Sequence, residues 1–173
     1  MYNTIRLIKS DLKRKQQIFL EDGSEISLLR ACITDGTSAN ILYRLAFRCS
    51  KSKPLAPIAL LLQHLNRVYN GCMIGVKAEF GPGFVIMHPI GVVINSKVIG
   101  GKNITLESGV VIGDEKGKSP ILNDDIFFGA GAKAFGGINI GNNVKVGANA
   151  VVVKDIPSNT TALGIPAKAR KIS

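Results

Sequence analysis

The second half of the chain carries a residue suited to burial at every sixth position, and few folds can use that period. Counting from Ile74, only Lys116 in the series is polar. A six-residue repeat is typical of a parallel β-helix, in which short strands meet at tight corners and stacked coils bury one continuous apolar column. The sequence therefore predicts a mainly β structure of this kind. The series is Ile74, Phe80, Ile86, Val92, Val98, Ile104, Val110, Lys116, Leu122, Phe128, Ala134, Ile140, Val146 and Val152.

The first 70 residues follow a different period. Apolar residues recur three and four places apart in ISLLRACI, ANILYRLAFRC and IALLLQHLNRVY, which is typical of amphipathic helices. Ser and Thr precede these stretches and can cap helix N-termini. We therefore expect two parts: an N-terminal helical segment, residues 1–70, and a β-helix domain, residues 71–173, that ends in a C-terminal tail.

The charge balance narrows the class of partner. The chain has 22 Lys and Arg against 12 Asp and Glu, a formal net charge of +10. No basic run is interleaved with aromatic residues, so we do not expect nucleic-acid binding. An acidic small molecule is the partner that this charge favours.

The cysteines and the longest apolar run bear on location. Cys32, Cys49 and Cys72 are odd in number and form no C-x-x-C pattern, which favours a reducing compartment over a disulfide framework. The first 15 residues lack an apolar core of signal-peptide length, and PLAPIALLLQHL is too short to span a bilayer. We expect a cytoplasmic protein without a membrane span.

The polar exception in the repeat lies in GDEKGKSP, residues 113–120, which combines charge, Gly and Pro in the way of an exposed loop. Two interpretations stay open. The segment is either a tolerated surface insertion or a loop that reaches a neighbouring subunit or covers a cleft, because irregular connections on rigid scaffolds commonly carry function.

The chain has two histidines, and one of them interrupts an apolar run. His88 lies in FVIMHPIGVVIN, whereas His64 lies in a predicted helix, where packing or a solvated face explains it. From the residues alone, His88 is either a structural residue at a corner of the β-helix or a catalytic base.

Residues 70–170 resemble the left-handed β-helix of hexapeptide acyltransferases, most clearly in IGNNVKVGANA, residues 140–150. MHPIG, residues 87–91, is similar to the D-H-A-T-G segment of serine acetyltransferases and aligns without gaps as far as VVIG, residues 110–113. The resemblance implies a left-handed coil and makes His88 the general base. The chemistry needs such a base, because a hydroxyl becomes nucleophilic only as its proton is withdrawn, and an imidazole can accept it near neutral pH.

Three residues depart from the serine acetyltransferase pattern. Met87 and Met73 stand where that family has aspartates, and Ser119 stands where it has a second histidine. An ammonium bound without a carboxylate would be unpaired, which is costly. We therefore expect an acceptor other than L-serine.

VVIN, residues 92–95, and the arginine-containing helix LNRVY, residues 65–69, resemble O-acetyltransferases of polysaccharide biosynthesis, including the colanic acid type. That resemblance implies a saccharide hydroxyl as acceptor, with Asn95 and Ser119 as the substrate-binding residues.

GAGAK, residues 129–133, and ALGIPAK, residues 162–168, resemble segments that line the acetyl-CoA groove of the same family. Small residues there admit the pantetheine arm, and basic residues face the phosphates. We expect acetyl-CoA as co-substrate and no metal. The residues assigned to acetyl-CoA are Gly113, Gly131, Ala132, Lys133, Ala150, Lys168 and Arg170, with the Gly113 amide directed at the thioester oxygen.

Two other functions stay open, serine O-acetyltransferase and a non-catalytic β-helix scaffold. A γ-class carbonic anhydrase is excluded, because its zinc needs three histidines and this chain has two. The resemblance also implies a homotrimer with active sites between subunits, and pairing of trimers into a hexamer through residues 1–70 is a further expectation.

Overall fold

The computed structural model of the protein describes residues 3–171, so the outermost residues of both predicted parts, 1–2 and 172–173, lie outside it. The chain begins with helices α1 (Thr4–Glu21), α2 (Leu28–Ile33), α3 (Thr37–Ser50) and α4 (Ala56–Asn70), with a short 3-10 turn at Lys53–Leu55. Strands follow from Met73 onward. Within residues 3–171, no helix combines the length and apolarity needed to cross a bilayer.

The strands form three parallel sheets, here called faces A, B and C, and each of the first four turns of the chain contributes one strand to each face. Face A is β1-β4-β7-β10-β13, face B is β2-β5-β8-β11, and face C is β3-β6-β9-β12-β14 with β15 added antiparallel. The predicted fold, a left-handed parallel β-helix preceded by helices, is confirmed. The strands are β1 (Met73–Ile74), β2 (Glu79–Phe80), β3 (Val85–Ile86), β4 (Val93–Ile94), β5 (Ile99–Gly100), β6 (Ile104–Leu106), β7 (Val111–Gly113), β8 (Ile121–Leu122), β9 (Ile126–Phe128), β10 (Lys133–Phe135), β11 (Asn139–Ile140), β12 (Val144–Val146), β13 (Val151–Val152), β14 (Thr160–Leu163) and β15 (Lys168–Lys171).

Two insertions interrupt the regular coil. Equivalent positions on face A are Met73, Val93, Val111, Lys133 and Val151, so successive coils span 20, 18, 22 and 18 residues. A regular coil of three six-residue repeats needs 18, so the first coil carries two extra residues and the third carries four. The extra residues lie at the corner that contains His88 and in the loop after β7.

These insertions correct part of the predicted register. The two and four extra residues together equal one six-residue repeat. The predicted series therefore agrees with the inward-facing strand residues again from Leu122 onward. Between the insertions, the strand residues that point inward on face A are Ile94 and Ile112, two places beyond the predicted Val92 and Val110. Both sets are buried, which is why the apolar series continues through the shift. Lys116 is polar because it lies in the exposed loop.

Polar side chains of the helices cover the free edge of the first coil. The Asn40 amide donates to the carbonyl of Phe84 at 2.6 Å and accepts from the amide of Ile86 at 2.9 Å, so it extends face C by one hydrogen-bonded step. The Tyr43 hydroxyl donates to the carbonyl of Ala78 at 2.8 Å. Since an open sheet edge would leave backbone groups unpaired, these contacts fix where the helices dock.

A buried ion pair joins α1 and α3 to the same coil. The Arg44 guanidinium binds both carboxylate oxygens of Asp11, at 2.8 and 3.0 Å, and donates to the carbonyls of Phe80 and Gly81 at 2.7 Å. Asp11 also accepts from the amide of Phe84 at 2.9 Å. Because every charge is matched by several hydrogen bonds, the pair is tolerated in the interior.

Candidate active site

His88 lies at the corner between faces C and A, on the first coil. Backbone hydrogen bonds align Met87 with Glu107 and Gly91 with Gly109 in the next coil. Three residues lie between Met87 and Gly91, and only one lies between Glu107 and Gly109. The longer corner carries His88 away from the buried column, and 59% of its side chain is exposed.

An aspartate from the helical segment contacts this histidine. His88 Nδ1 lies 3.0 Å from Asp35 Oδ2, although the two residues are 53 positions apart. A carboxylate only accepts hydrogen bonds, so Nδ1 carries the proton and donates it to Asp35. Nε2 is then left with its lone pair, which is the form that a general base requires.

The turn between α2 and α3 places Asp35 at this corner. Gly36 has φ of +78°, and a Cβ there would lie 2.0 Å from the carbonyl oxygen of Ile86, the last residue of β3. Only glycine allows both this conformation and this backbone approach. The Gly36 amide also donates to Asp35 Oδ1 at 3.1 Å, which helps to set the carboxylate orientation.

Sequence reasoning did not find Asp35. The tripeptide TDG between two helical patterns marks a turn, but nothing local indicates that this turn reaches a corner of the β-helix. Met73, at the position where the resemblance implies an aspartate, lies on the outer side of face A with 42% of its surface exposed. In this chain, the carboxylate beside the histidine comes from Asp35.

The predicted acceptor residues lie at another corner, between faces A and B. Ser119 Oγ is 3.3 Å from Asn95 Oδ1 and 3.5 Å from Asp114 Oδ2, and Lys97 Nζ is 3.4 Å from the same Asp114 oxygen. Among residues 3–171, no hydrogen bond joins this cluster to His88. One chain therefore brings Asn95 and Ser119 together but keeps them on the opposite edge of face A from the histidine.

Several predicted donor residues share the corner of His88, two and three coils below it. Gly131 packs on Gly109, and its amide donates to the carbonyl of Ser108 at 2.8 Å. The Lys133 ammonium donates to the carbonyl of Gly131 at 2.9 Å. Ala132 and Ala150 are buried, so their side chains fill the core and only their backbone borders this corner.

The remaining donor residues are placed differently. Lys168 and Arg170 lie on exposed β15, paired with Leu163 and Thr161, and face C puts β14 four strand spacings from β3, roughly 19 Å. Gly113 lies on face A beneath the Asn95 corner, and a Cβ there would meet the Phe135 ring at 2.6 Å. Gly113 is thus on the Ser119 side of the molecule, away from His88.

No family model matches the chain. A serine acetyltransferase of Bacillus pumilus is 34% identical over 168 residues, which cover 94% of this chain and 76% of the relative. Among solved structures, a serine acetyltransferase in complex with CoA superimposes with a TM-score of 0.87 at 26% identity, over 96% of this chain and 69% of that one. The Neisseria gonorrhoeae serine acetyltransferase in complex with serine gives 0.86 at 30% identity, over 95% and 68%.

These similarities correct one prediction and confirm another. The expected likeness to enzymes of polysaccharide biosynthesis is wrong at this level of detail, because the similar proteins are serine acetyltransferases. The predicted class, an O-acetyltransferase, is confirmed. With 34% identity to a relative of which it spans about three quarters, the chain belongs to the serine acetyltransferase family of hexapeptide-repeat acyltransferases.

Proposed function

We propose that the protein transfers the acetyl group of acetyl-CoA to the hydroxyl of L-serine, with His88 as general base. The observation that carries this proposal is the contact between His88 and Asp35 at an exposed corner of the coil. It supplies a base in the correct tautomer and a carboxylate next to it. The saccharide acceptor predicted above is not retained.

The sequence argument against serine depended on missing carboxylates at Met73 and Met87. Asp35 supplies such a group from another part of the chain. A carboxylate offers about four acceptor sites, of which His88 and the Gly36 amide use two. The side chain of Asp35 is 62% exposed, so its remaining acceptor sites are open to the ammonium of an amino acid. The charge of serine is therefore matched rather than left unpaired.

The reaction needs one proton transfer in each direction. Nε2 of His88 takes the proton of the serine hydroxyl as its oxygen attacks the thioester carbonyl, and a tetrahedral intermediate forms. The intermediate collapses when the carbon–sulfur bond breaks, and the departing thiolate takes the proton from Nε2. Asp35 holds the ring in one tautomer and stabilises the imidazolium that exists between these steps.

We place acetyl-CoA along the corner that His88 shares with Ser108, Ala130 and Ala148. The small side chains of this row allow a pantetheine arm to approach backbone amides. Lys168 and Arg170 stand near the far end of the row, where their charges suit the phosphates of CoA. The relative solved with CoA supports the same co-substrate here.

We further propose a homotrimer in which the Ser119 corner of one subunit completes the His88 corner of the next. Ile99, Ile121 and Val153 expose apolar surface on faces A and B, which subunit packing would cover. The separation of Asn95 and Ser119 from His88 within one chain supports a shared site. Pairing of trimers into a hexamer through residues 1–70 stays a prediction.

We place the reaction in the cytoplasm. Cys32, Cys49 and Cys72 are free thiols, and Cys32 is exposed. Unpaired cysteines at a surface favour a reducing compartment.

The test is release of free thiol from acetyl-CoA in the presence of L-serine or of neutral saccharides. We expect serine to support turnover, and His88→Ala to lower kcat about a hundredfold to ten-thousandfold while acetyl-CoA binding is kept. His64→Ala is the matched control and should retain activity, because His64 pairs with Arg67 on α4. Turnover with saccharides and none with serine would overturn the proposal. If the protein bound acetyl-CoA but turned over no acceptor, the result would favour a non-catalytic β-helix scaffold.

A further inference from the structure

Lys15 of α1 is a buried cation for which the proposed reaction has no use. Only 3% of its surface is exposed. Its ammonium donates to the backbone carbonyl of Asp35 and to Oγ1 of Thr37, the latter at 3.0 Å. Asp35 lies in the turn after α2, and Thr37 is the first residue of α3. Lys15 therefore connects α1 directly to this turn.

The contacts of Lys15 leave the Asp35 carboxylate free to face outward. The lysine binds the backbone oxygen of Asp35, whereas the side-chain oxygens contact His88 and the Gly36 amide. The ammonium therefore fixes the peptide that carries the carboxylate without neutralising it through direct pairing. Thr37 in turn donates to the carbonyl of Ala31 at 2.7 Å, which ties the turn to α2.

A buried ammonium is costly unless hydrogen bonds compensate it. Burial lowers the pKa of Lys15 to about 8, and the negative charge of Asp35 opposes that change. An apolar side chain would fill the same space between α1 and α3 without this cost. The positive charge of Lys15 therefore has a role other than packing. Its two hydrogen-bond acceptors, in Asp35 and Thr37, indicate that this role is to hold the turn.

We propose that Lys15 is a positioning residue, which holds the Asp35 turn so that its carboxylate sets the tautomer and orientation of His88. The inference deepens the proposed function, since it concerns the same histidine. It also gives the N-terminal helix a part in catalysis, because the Lys15 contact helps to determine where the carboxylate lies. Asp11 lines the same small cavity as Lys15 and Thr37, and its carboxylate is bound to Arg44.

The experiment compares Lys15→Met with Lys13→Met in the full chain. Methionine keeps the unbranched stem and removes the charge, and Lys13 is an exposed lysine on the same helix. The chain has two histidines, so ¹⁵N spectra of labelled imidazoles show two rings, and His64→Gln assigns them. We expect Nδ1-protonated His88 in the parent and in Lys13→Met, and a mixture of tautomers in Lys15→Met.

Kinetics give the second readout. In Lys15→Met, kcat with L-serine should fall roughly tenfold to a hundredfold, as for misplacement of a reacting group, while KM for acetyl-CoA stays unchanged. A parent-like tautomer and parent-like kcat in folded Lys15→Met would overturn the inference. If that variant does not fold, Lys15→Gln is used instead, because glutamine keeps a hydrogen-bond donor on the side chain. A lowered kcat, below one half of the parent value, with His88 still in the single Nδ1-protonated tautomer of the parent would also contradict the proposed link.

The two proposals fail in different ways. The tautomer of His88 is measured without any acceptor, so it decides the role of Lys15 even if serine proves not to be the substrate. If the parent protein releases no thiol with serine, the proposed function fails, and the comparison of tautomers still stands on its own.

Discussion

The helical segment and the β-helix are built on different kinds of core. The β-helix buries a column of apolar, mostly aliphatic side chains with few polar groups among them, and each coil repeats the contacts of the last. The helices dock on it through buried polar side chains, among them Asp11, Asn40 and Arg44. Repeated apolar contacts tolerate the exchange of one apolar side chain for another, whereas each buried polar group needs its own hydrogen-bond partner. The candidate active site lies where the two meet, with His88 from the coil and Asp35 from the helices.

The largest expected effect comes from breaking the polar docking. Arg44→Met leaves Asp11 buried without its cation and frees the carbonyls of Phe80 and Gly81. Removal of one partner from a buried ion pair costs about 3–5 kcal/mol, so the free energy of unfolding in urea should fall by that amount. The midpoint and slope of the denaturation curve measure it.

The matched control is Arg14→Met. Arg14 pairs with Glu21 at 2.9 Å, but their side chains are 25% and 62% exposed. A solvent-exposed pair contributes about 0–1 kcal/mol. Equal losses from the two arginine variants would show that the docking of the helices does not depend on the buried pair.

The same difference explains what the sequence could predict. A coil is specified by contacts between residues about 18 apart, and each repeat restates the same pattern, so the fold and the place of the polar loop were visible in the chain. His88 stood out because it interrupts that pattern. The two-residue extension of its corner was hidden, because Val92 and Ile94 are both apolar and buried.

The position of Asp35 could not be predicted in this way. It depends on Gly36 approaching Ile86 and on Asn40 binding β3, and these contacts join residues about fifty positions apart without any repeat. Ser119 and Asn95 were predicted as one group and do lie together. They are distant from His88 because they lie at the corner between faces A and B, whereas His88 lies at the corner between faces C and A. A count of six residues does not distinguish one corner from another.

A smaller effect is expected from Gly36→Ala, which tests the docking at the turn itself. The new methyl group would meet the Ile86 carbonyl at 2.0 Å in a left-handed conformation. The backbone strain alone costs about 1–3 kcal/mol, and relief of the clash must move Asp35 away from His88. We expect lower thermal stability together with loss of thiol release.

Gly23→Ala separates these two causes. Gly23 has φ of +80° with no atom near its added Cβ, so alanine there adds backbone strain without displacing the active-site turn. Its stability should fall and its kcat should stay at the parent value. If Gly36→Ala kept full activity, the close approach of the turn would not be what places Asp35.

The smallest effect should come from the aliphatic column. Ile140→Val removes one methylene from a fully buried position on β11, between Leu122 in the coil above and Ile156 below. Such a change costs about 0.5–1.5 kcal/mol, because neighbouring side chains of the column close part of the space. Ile140 lies on face B, away from the corner of His88, so the tautomer of that histidine and the rate of acetyl transfer should be unchanged. Urea denaturation and the thiol assay, run on the same preparation, measure both. A loss of several kcal/mol, or any change in kcat, would mean that the column is as specific in its contacts as the polar docking of the helices, and the contrast between the two regions would fail.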